Sequence, residues 1–600
     1  MSNSNKKDSS IAKMLRNAIF APDAEDVDVI GLVVALTIVA AVVAVQMEFF
    51  GTEASKVLDR AQQYAIQSMG VKVRGEIESS YAWNDAYRQW LDWESQASLA
   101  EQRGDTQAAE RYRIVRDRAA ALTPLLGAEY FDPTLSQPDL RAFEAITYLV
   151  ESTALQERYL RSMELFDFLA AKSDAFALQI ELLAIALALI ALAPNKELLP
   201  SRFLRRLPIL AAIGIGVVVV VWASRVFLNP IPIYFEDAVI NYARGVGLSY
   251  QGDHAGAVAA FDQTLMREPE YTNALYRRGN AHFALENYDA AAADYQAAWD
   301  AGREELNVLW NLGWTYYLMG SFEESIKTTS EAIEWDDNQV ALYFNLGVMQ
   351  LAAGDVAAAQ NAYTLGLEKA TAIVTQSSQR GMPPTSLWSY FNIAIEDIDA
   401  FLVCLESSEC ENAPAYETLA VTPEINAAAA AMRRNLKNHA VALEHMQRPP
   451  AQEIQAEVGL LEFGTGVYDE SGQVTDFLAL GAEGSTLRFG LAIEEESSRV
   501  IDNSITLADA NDVPVLVRFP YSQIQNGQQL VVKIYHNGSE SLWLRIVEDW
   551  NLGSQGEAVL PLNPSSQFAL ADGDYRVEVY LDGNLMQEGS FGLGEDGSAE

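Results

Sequence analysis

The sequence predicts a multi-domain membrane protein in which transmembrane helices lead into an α-solenoid and then an all-β sandwich. Three observations carry this. Three apolar runs of spanning length lie in the first 225 residues, a glycine recurs every 34 residues after them, and beyond residue 455 the apolar period drops to two. Six hundred residues exceed what one hydrophobic core can organise, so several domains are expected.

Val29–Met47 and Leu207–Ser224 contain no charged residue, and each is long enough to cross a hydrocarbon layer about 30 Å thick. Phe176–Pro194 has the length but carries Glu181, a cost of ~1–3 kcal/mol that its many Leu, Ile and Ala residues offset. The first run follows 28 residues and lacks a small-residue cleavage pattern, so it is expected to stay as an anchor. The expected plan is a tail (1–28), a first span (29–49), a polar helical domain (50–175), a second span (176–194), a basic loop (195–206) and a third span (207–225).

Basic residues near span ends favour the cytoplasmic side. The short loop holds Lys196, Arg202, Arg205 and Arg206, in a protein of formal net charge −41. Lys56, Arg60, Arg158, Arg161 and Lys172 in the 50–175 segment weigh the other way. Long segments translocate largely regardless of charge, so the short loop decides. Tail and loop are placed inside, and everything after the third span outside, in a prokaryotic cytoplasmic membrane. The last 150 residues hold 25 acidic and 6 basic side chains, a balance that repels nucleic acid phosphate. Cys404 and Cys410 either close a small disulfide loop, which an oxidising compartment permits, or stand as two unrelated thiols.

Within 50–175 the polar, glycine-poor pattern is helical, with Tyr81, Trp83, Tyr87, Trp90 and Trp93 along one side. Its architecture resembles the sensing modules of bacterial transmembrane receptors.

Gly245, Gly279, Gly313 and Gly347 are spaced by 34. Ala257, Ala291, Ser325 or Ala359 follows each by twelve residues, and Phe261, Tyr295, Thr329 or Tyr363 follows four later. Small residues at helix crossings let two backbones approach, with the aromatic packing at the rim. Four such units over 238–371, the first ending in Pro269, resemble the tetratricopeptide-repeat family. Thr329, Gly366 and the absence of the later prolines depart from its pattern. The resemblance implies a superhelix of helix pairs over 232–371, with a groove lined by the first helix of each pair. Taking the recurring glycine as position eight, positions two, five, nine and twelve give Asn273, Tyr276, Asn280 and Phe283, then Asn307, Trp310, Trp314 and Tyr317, then Phe344 and Leu351. An aromatic groove suits an apolar peptide or amphipathic helix, although Trp310 and Trp314 could equally pack within the chain. The family's clamp for a terminal carboxylate needs basic residues where this sequence has Tyr242 and Val246, so that ligand is not expected.

Apolar residues at Leu387, Phe391, Ile395, Ile398, Phe401, Leu402 and Leu405 mark a helix, and another begins near Pro423. Together they make 372–446 a solenoid cap. After a proline-bearing linker (447–455), 456–600 alternates apolar and polar residues: Leu487 to Ile493, Leu530 to Ile534, and Tyr575, Val577, Val579 and Leu581 against Arg576, Glu578 and Tyr580. Asn537–Gly538 and Asp582–Gly583 sit where two-residue hairpin turns belong. The closing stretch resembles the last hairpin of an immunoglobulin-like module. Acidic clusters at Glu494–Glu496 and Asp509/Asp512 lack EF-hand spacing and read as solvated edges.

No phosphate loop, nucleophile elbow or metal-spaced histidine pair is present in the sequence, and His439 and His445 are six apart. The expected function is a non-enzymatic, cofactor-free adaptor that binds protein or peptide partners outside the membrane. The alternatives are a receptor with a ligand-binding bundle at 50–175, and a cytoplasm-facing scaffold if only two spans form.

Overall fold

The computed structural model describes residues 29–593 apart from 128, 133–136, 194–197, 200, 379–384, 409, 469–473, 480–485, 488–489, 492–500, 503–514, 542–543 and 563–572. The chain falls into two compact units, one ending at Asn287 and one beginning at Tyr288.

In the first unit, α1 (Val29–Tyr81) passes through a π-helical turn (Ala82–Tyr87) into α2 (Arg88–Gln102). This rod of 74 residues is about 110 Å long at the usual helical rise. No proline interrupts it, so the expected boundary at residue 50 is a change of surface polarity with no break in the backbone. α3 (Thr106–Ala120) folds back on α2, its first turn capped by Asp105, which accepts from the Ala108 N–H at 2.9 Å. α4 (Leu140–Glu144), a second π-helical turn (Ala145–Leu149) and α5 (Val150–Leu192) return along α1. The expected border at 176 is likewise unmarked.

Leu36, Val43, Phe50 and Val57 of α1 pack on Leu169, Phe176, Leu183 and Ile190 of α5, joined by Ala212 and Val219 of α6 (Arg202–Leu228). The Phe50 and Phe176 rings stack at 5.8 Å. Among the described residues, three helices, within 29–102, 140–192 and 203–228, are long and apolar enough to cross a membrane. α6 starts before the expected span at 207, because Ser201 caps it by accepting from the Leu204 N–H at 3.1 Å. Arg205 and Arg206 are therefore helical. Lys196 and the Arg202 side chain lie outside the described residues.

α7 (Glu236–Tyr250), α8 (His254–Arg267) and α9 (Thr272–Ala284) complete this unit. A Cβ on Gly245 would meet the Phe261 ring at 2.5 Å, which is why the crossing of α7 and α8 requires glycine.

The second unit opens with α10 (Tyr288–Asp300), α11 (Leu306–Leu318), α12 (Phe322–Trp335), α13 (Val340–Ala352) and α14 (Val356–Ser378). The same close approach recurs at Gly347 against Tyr363 and at Gly313 against Thr329, each 2.5 Å from the missing Cβ. Where Thr329 replaces the aromatic, its hydroxyl bonds to the Met349 sulfur at 3.3 Å, and the Ser325 hydroxyl donates to the Gly313 carbonyl at 2.8 Å. α15 (Thr385–Ser407) and α16 (Pro423–Met446) follow.

Among the described residues, eight longer strands form two antiparallel sheets, with two-residue bridges at their margins: β1 (Glu462–Tyr468), β2 (Val474–Ala479), β3 (Val515–Ser522), β4 (Gln529–His536), β5 (Ile546–Asp549), β6 (Gln555–Pro561), β7 (Gly573–Leu581) and β8 (Asn584–Leu593). One sheet runs β6-β3-β1-β2 and the other β5-β4-β7-β8. They share a core in which Val515, Val517 and Phe519 meet Val532, Ile534, Tyr575, Val577 and Val579. Both turn pairs adopt positive φ, 48° and 81° at Asn537–Gly538 and 44° and 77° at Asp582–Gly583. Much of 487–493, with Glu494–Glu496, Asp509 and Asp512, lies outside the described residues.

The outer face of β7 departs from expectation. Alternation assigns Glu578 and Tyr580 to solvent, yet they are 0% and 1% exposed. α16 covers that face, packing Val441 against Val531, Tyr580 and Leu585. The linker at 447–455 therefore does not hold the helices and sheets apart.

Candidate partner-binding surfaces

The groove positions divide by exposure. On α9, in the first unit, Tyr276 is buried while Asn280 and Phe283 are half-buried. On α11, Asn307 is exposed and Trp310 and Trp314 are half-buried, but Tyr317 is buried. Phe344 and Leu351 on α13 are 1% and 0% exposed, which removes Tyr317, Phe344 and Leu351 from any partner's reach.

The cause is α15. Its Tyr390 ring lies 6.3 Å from Trp310, and its Phe391 ring 5.4 Å from Phe344, so it covers position five of two successive repeats. An amphipathic helix must bury its apolar face somewhere, and the aromatic face of α11 and α13 offers the matching surface. Cys404, in the last turns of α15, is joined by a disulfide to Cys410 just beyond it. The chain then crosses the carboxyl-terminal ends of α11 and α13, where the Ala420 N–H donates to the Ala352 carbonyl at 3.2 Å. A Cβ on Gly320 would meet Thr418 at 2.8 Å.

α15 carries one costly group into this contact. Burial pushes the Asp397 carboxyl up to about 7, and neighbouring Glu396 adds to the rise. Asp397 lies near Tyr317 and Tyr363, whose phenols burial raises. The Tyr317 hydroxyl is buried with no hydrogen-bond partner among the described residues.

A second cluster ties α5 to the first repeats within the first unit. Glu157 accepts from the Tyr271 hydroxyl at 2.7 Å and from Asn273 Nδ2 at 3.0 Å. Burial raises its carboxyl against these bonds and the nearby Arg161. The Arg161 guanidinium lies 3.9 Å over the Tyr271 ring and pairs with Glu268 at 2.9 Å. The Tyr234 hydroxyl donates to Glu164 at 3.0 Å and is pushed up to about 12, mostly by burial. Residues more than a hundred positions apart carry no local sequence signal, and this cluster went unread in the sequence.

At the far end of the α1–α2 rod, Trp83 packs on Tyr87 at 4.9 Å and Trp90 on Phe131 at 5.0 Å. Gln89, Asp92, Trp93, Ser95, Gln96 and Tyr112 line an open cavity of about 490 Å³. Among the described residues no group of three or more His, Cys, Asp or Glu is placed to hold a metal.

The third cluster joins α16 to the second sheet. Lys437 Nζ lies 2.7 Å from Glu578 Oε1, and the Tyr580 hydroxyl donates to Oε2 at 2.7 Å. Burial alone would raise the Glu578 carboxyl, but Lys437, Arg576 and the Tyr580 bond hold it below the usual carboxylate range. Asn438 accepts from the Leu585 N–H at 2.8 Å, and Arg434 donates to the Leu585 carbonyl at 2.7 Å. Arg545 pairs with Glu444 at 2.9 Å.

A sequence profile of the tetratricopeptide repeat matches residues 272–300 and 306–339, so the chain carries such repeats. A search of curated proteins found no match. Among solved structures, YrrB, described as a TPR protein with an unusual peptide-binding site, is 17% identical over 26% of this chain and 85% of its own, with a TM-score of 0.21. MamA from Desulfovibrio magneticus RS-1 is 22% identical over 26% of this chain and 85% of its own, with a TM-score of 0.22. A tetratricopeptide repeat protein from Parabacteroides merdae is 12% identical over 58% of this chain and 99% of its own, with a TM-score of 0.22.

Proposed function

We propose that this repeat-bearing chain is a membrane-anchored adaptor that binds protein partners outside the cytoplasm of a prokaryotic cell. Tetratricopeptide-repeat proteins generally mediate protein–protein interaction and scaffolding, and the fold is typically non-enzymatic. The observation that carries the anchored reading is the Glu157–Tyr271–Arg161 cluster, which builds the first repeats directly onto one of the three apolar helices. The Cys404–Cys410 disulfide supports an oxidising compartment. Arg205 and Arg206 at the start of α6 support an inward loop. The two sheets sharing one core support an immunoglobulin-like sandwich.

Topology is tested by reporter fusions after Ala170, Pro200 and Pro450 of the membrane-inserted chain. The expected result is outside, inside and outside in that order. A cytoplasmic reporter at Pro450 would overturn the location.

The surface left beside α15 on the second unit is Asn307 and Trp314, with Trp310 half-buried at its edge under Tyr390. Truncating aromatic anchors commonly removes most of an interface's affinity, so Trp310→Ala with Trp314→Ala should weaken capture of the partner by full-length chain about 10–100-fold. Unchanged capture would remove this face from the mechanism. The receptor alternative gains from the cavity at Trp93 and Tyr112 and from the unbroken α5. A receptor working only through 50–175 predicts that same unchanged capture, so one measurement separates the two readings.

A further inference from the structure

α1 has two apolar seams, and this chain uses one of them. Ala54, Val57, Ala61, Ser68, Gly75 and Ser79 are buried towards α5. At 100° per residue, Ile66, Met69, Val73 and Ile77 fall outside that seam, Met69 to one side of it and the other three nearly opposite. They are 72%, 69%, 49% and 65% exposed. This stripe begins about 26 Å beyond Phe49 along the helix, with Glu53, Lys56, Asp59 and Arg60 intervening, so lipid does not cover it.

Gly70 lies in the middle of the stripe. A glycine within a helix costs about 1 kcal/mol relative to alanine. Nothing among the described residues requires it, because a Cβ there would meet no atom of theirs within 4 Å. Gly75, five residues on, has an evident reason, since its Cβ would strike Tyr148 at 2.2 Å. A missing side chain on an exposed apolar face suits close approach by a second helix.

We infer that the stripe Ile66–Met69–Val73–Ile77, centred on Gly70, is where a second copy of this chain docks, α1 against α1 in parallel. The inference rests on the membrane-anchored reading, which holds two copies in the same direction and at the same height. The stripe of one copy then faces the same stripe of the other, as a two-fold contact requires. Charge permits the same occupant. Most of this protein's surface repels a second copy at net charge −41, but here Lys72 and Arg74 balance Glu76 and Glu78. The side of α1 carrying the stripe also carries Ile30, Val34 and Val45, exposed within the apolar run, so the contact can continue into the bilayer.

Site-directed cross-linking tests this on the full-length chain in membranes, with Cys404→Ser and Cys410→Ser removing the native cysteines. Met69→Cys and Val73→Cys should give a disulfide-linked species of twice the chain mass, about tenfold more than the off-stripe controls Lys72→Cys and Glu78→Cys. Gly70→Leu, which the single chain accommodates, should suppress the Val73→Cys product. Extraction of the same membranes at high pH reports anchoring separately. Membrane-retained chain with no preference for stripe positions would overturn the dimer and leave the anchor standing. A cross-linked species of any other mass would place a different protein on the stripe and overturn the inference.

Discussion

Lys437→Ala should destabilise the packing of α16 on the second sheet by about 3–5 kcal/mol, because it strands a carboxylate that has no route to water. Glu578 is 0% exposed, and Lys437 is the cation 2.7 Å from it. Its other partners include the Tyr580 and Tyr535 hydroxyls and, at 3.5 Å, Arg576. Amide hydrogen exchange across β7 reports the loss in the intact chain, with protection expected to fall about 100-fold or more at neutral pH. The pH dependence carries a sign. The folded carboxyl of Glu578 is depressed, so its stabilising contribution is present above the ordinary glutamate range near 4.3 and is lost as pH falls through the folded value. The gap between wild type and Lys437→Ala should therefore narrow in acid. Lys437→Met with Glu578→Leu, which removes both charges, should recover most of the loss. Equal protection in wild type and Lys437→Ala at pH 7 would show that the pair is not held as described.

Asp397→Asn should act in the opposite direction. The folded pKa of Asp397 is raised to about 7 from an ordinary value near 3.9. Its protonated form favours the docked α15 fully below pH about 4; that advantage, about 4 kcal/mol, is lost as pH rises to the folded value near 7 and is gone above it. Asparagine cannot ionise. Exchange protection of α15, corrected for intrinsic rates, should fall between pH 4 and 8 in wild type and stay level in Asp397→Asn. At pH 8 the variant should be the better protected of the two. A pH-independent wild type would refute this account of Asp397.

Gly245, Gly313 and Gly347 were legible in the sequence because each marks a crossing where a Cβ would overlap the partner helix, a constraint that recurs with the repeat. Asn537–Gly538 and Asp582–Gly583 were legible because positive φ at two successive residues is a local demand. The covering helices were not. The apolar face of α15 has the same periodicity whether it stacks as an end cap or lies across Trp310 and Phe344. Glu578 alternates like a solvent-facing residue, and only the position of Lys437, 141 residues earlier, makes it a core residue. For the same reason the sequence assigned Tyr317, Phe344 and Leu351 to an open groove.

The unbroken course of α5 sets how displacement would travel. A helix without proline is stiff along its axis, and α5 carries Phe176 and Leu183 in the apolar core and Glu157 at the first repeats on one continuous rod. Sliding α5 by one ångström relative to α1 would carry Glu157, and the Tyr271 hydroxyl it holds, through nearly that ångström. Axial travel in the apolar core therefore reaches the first repeats as stroke rather than as slack.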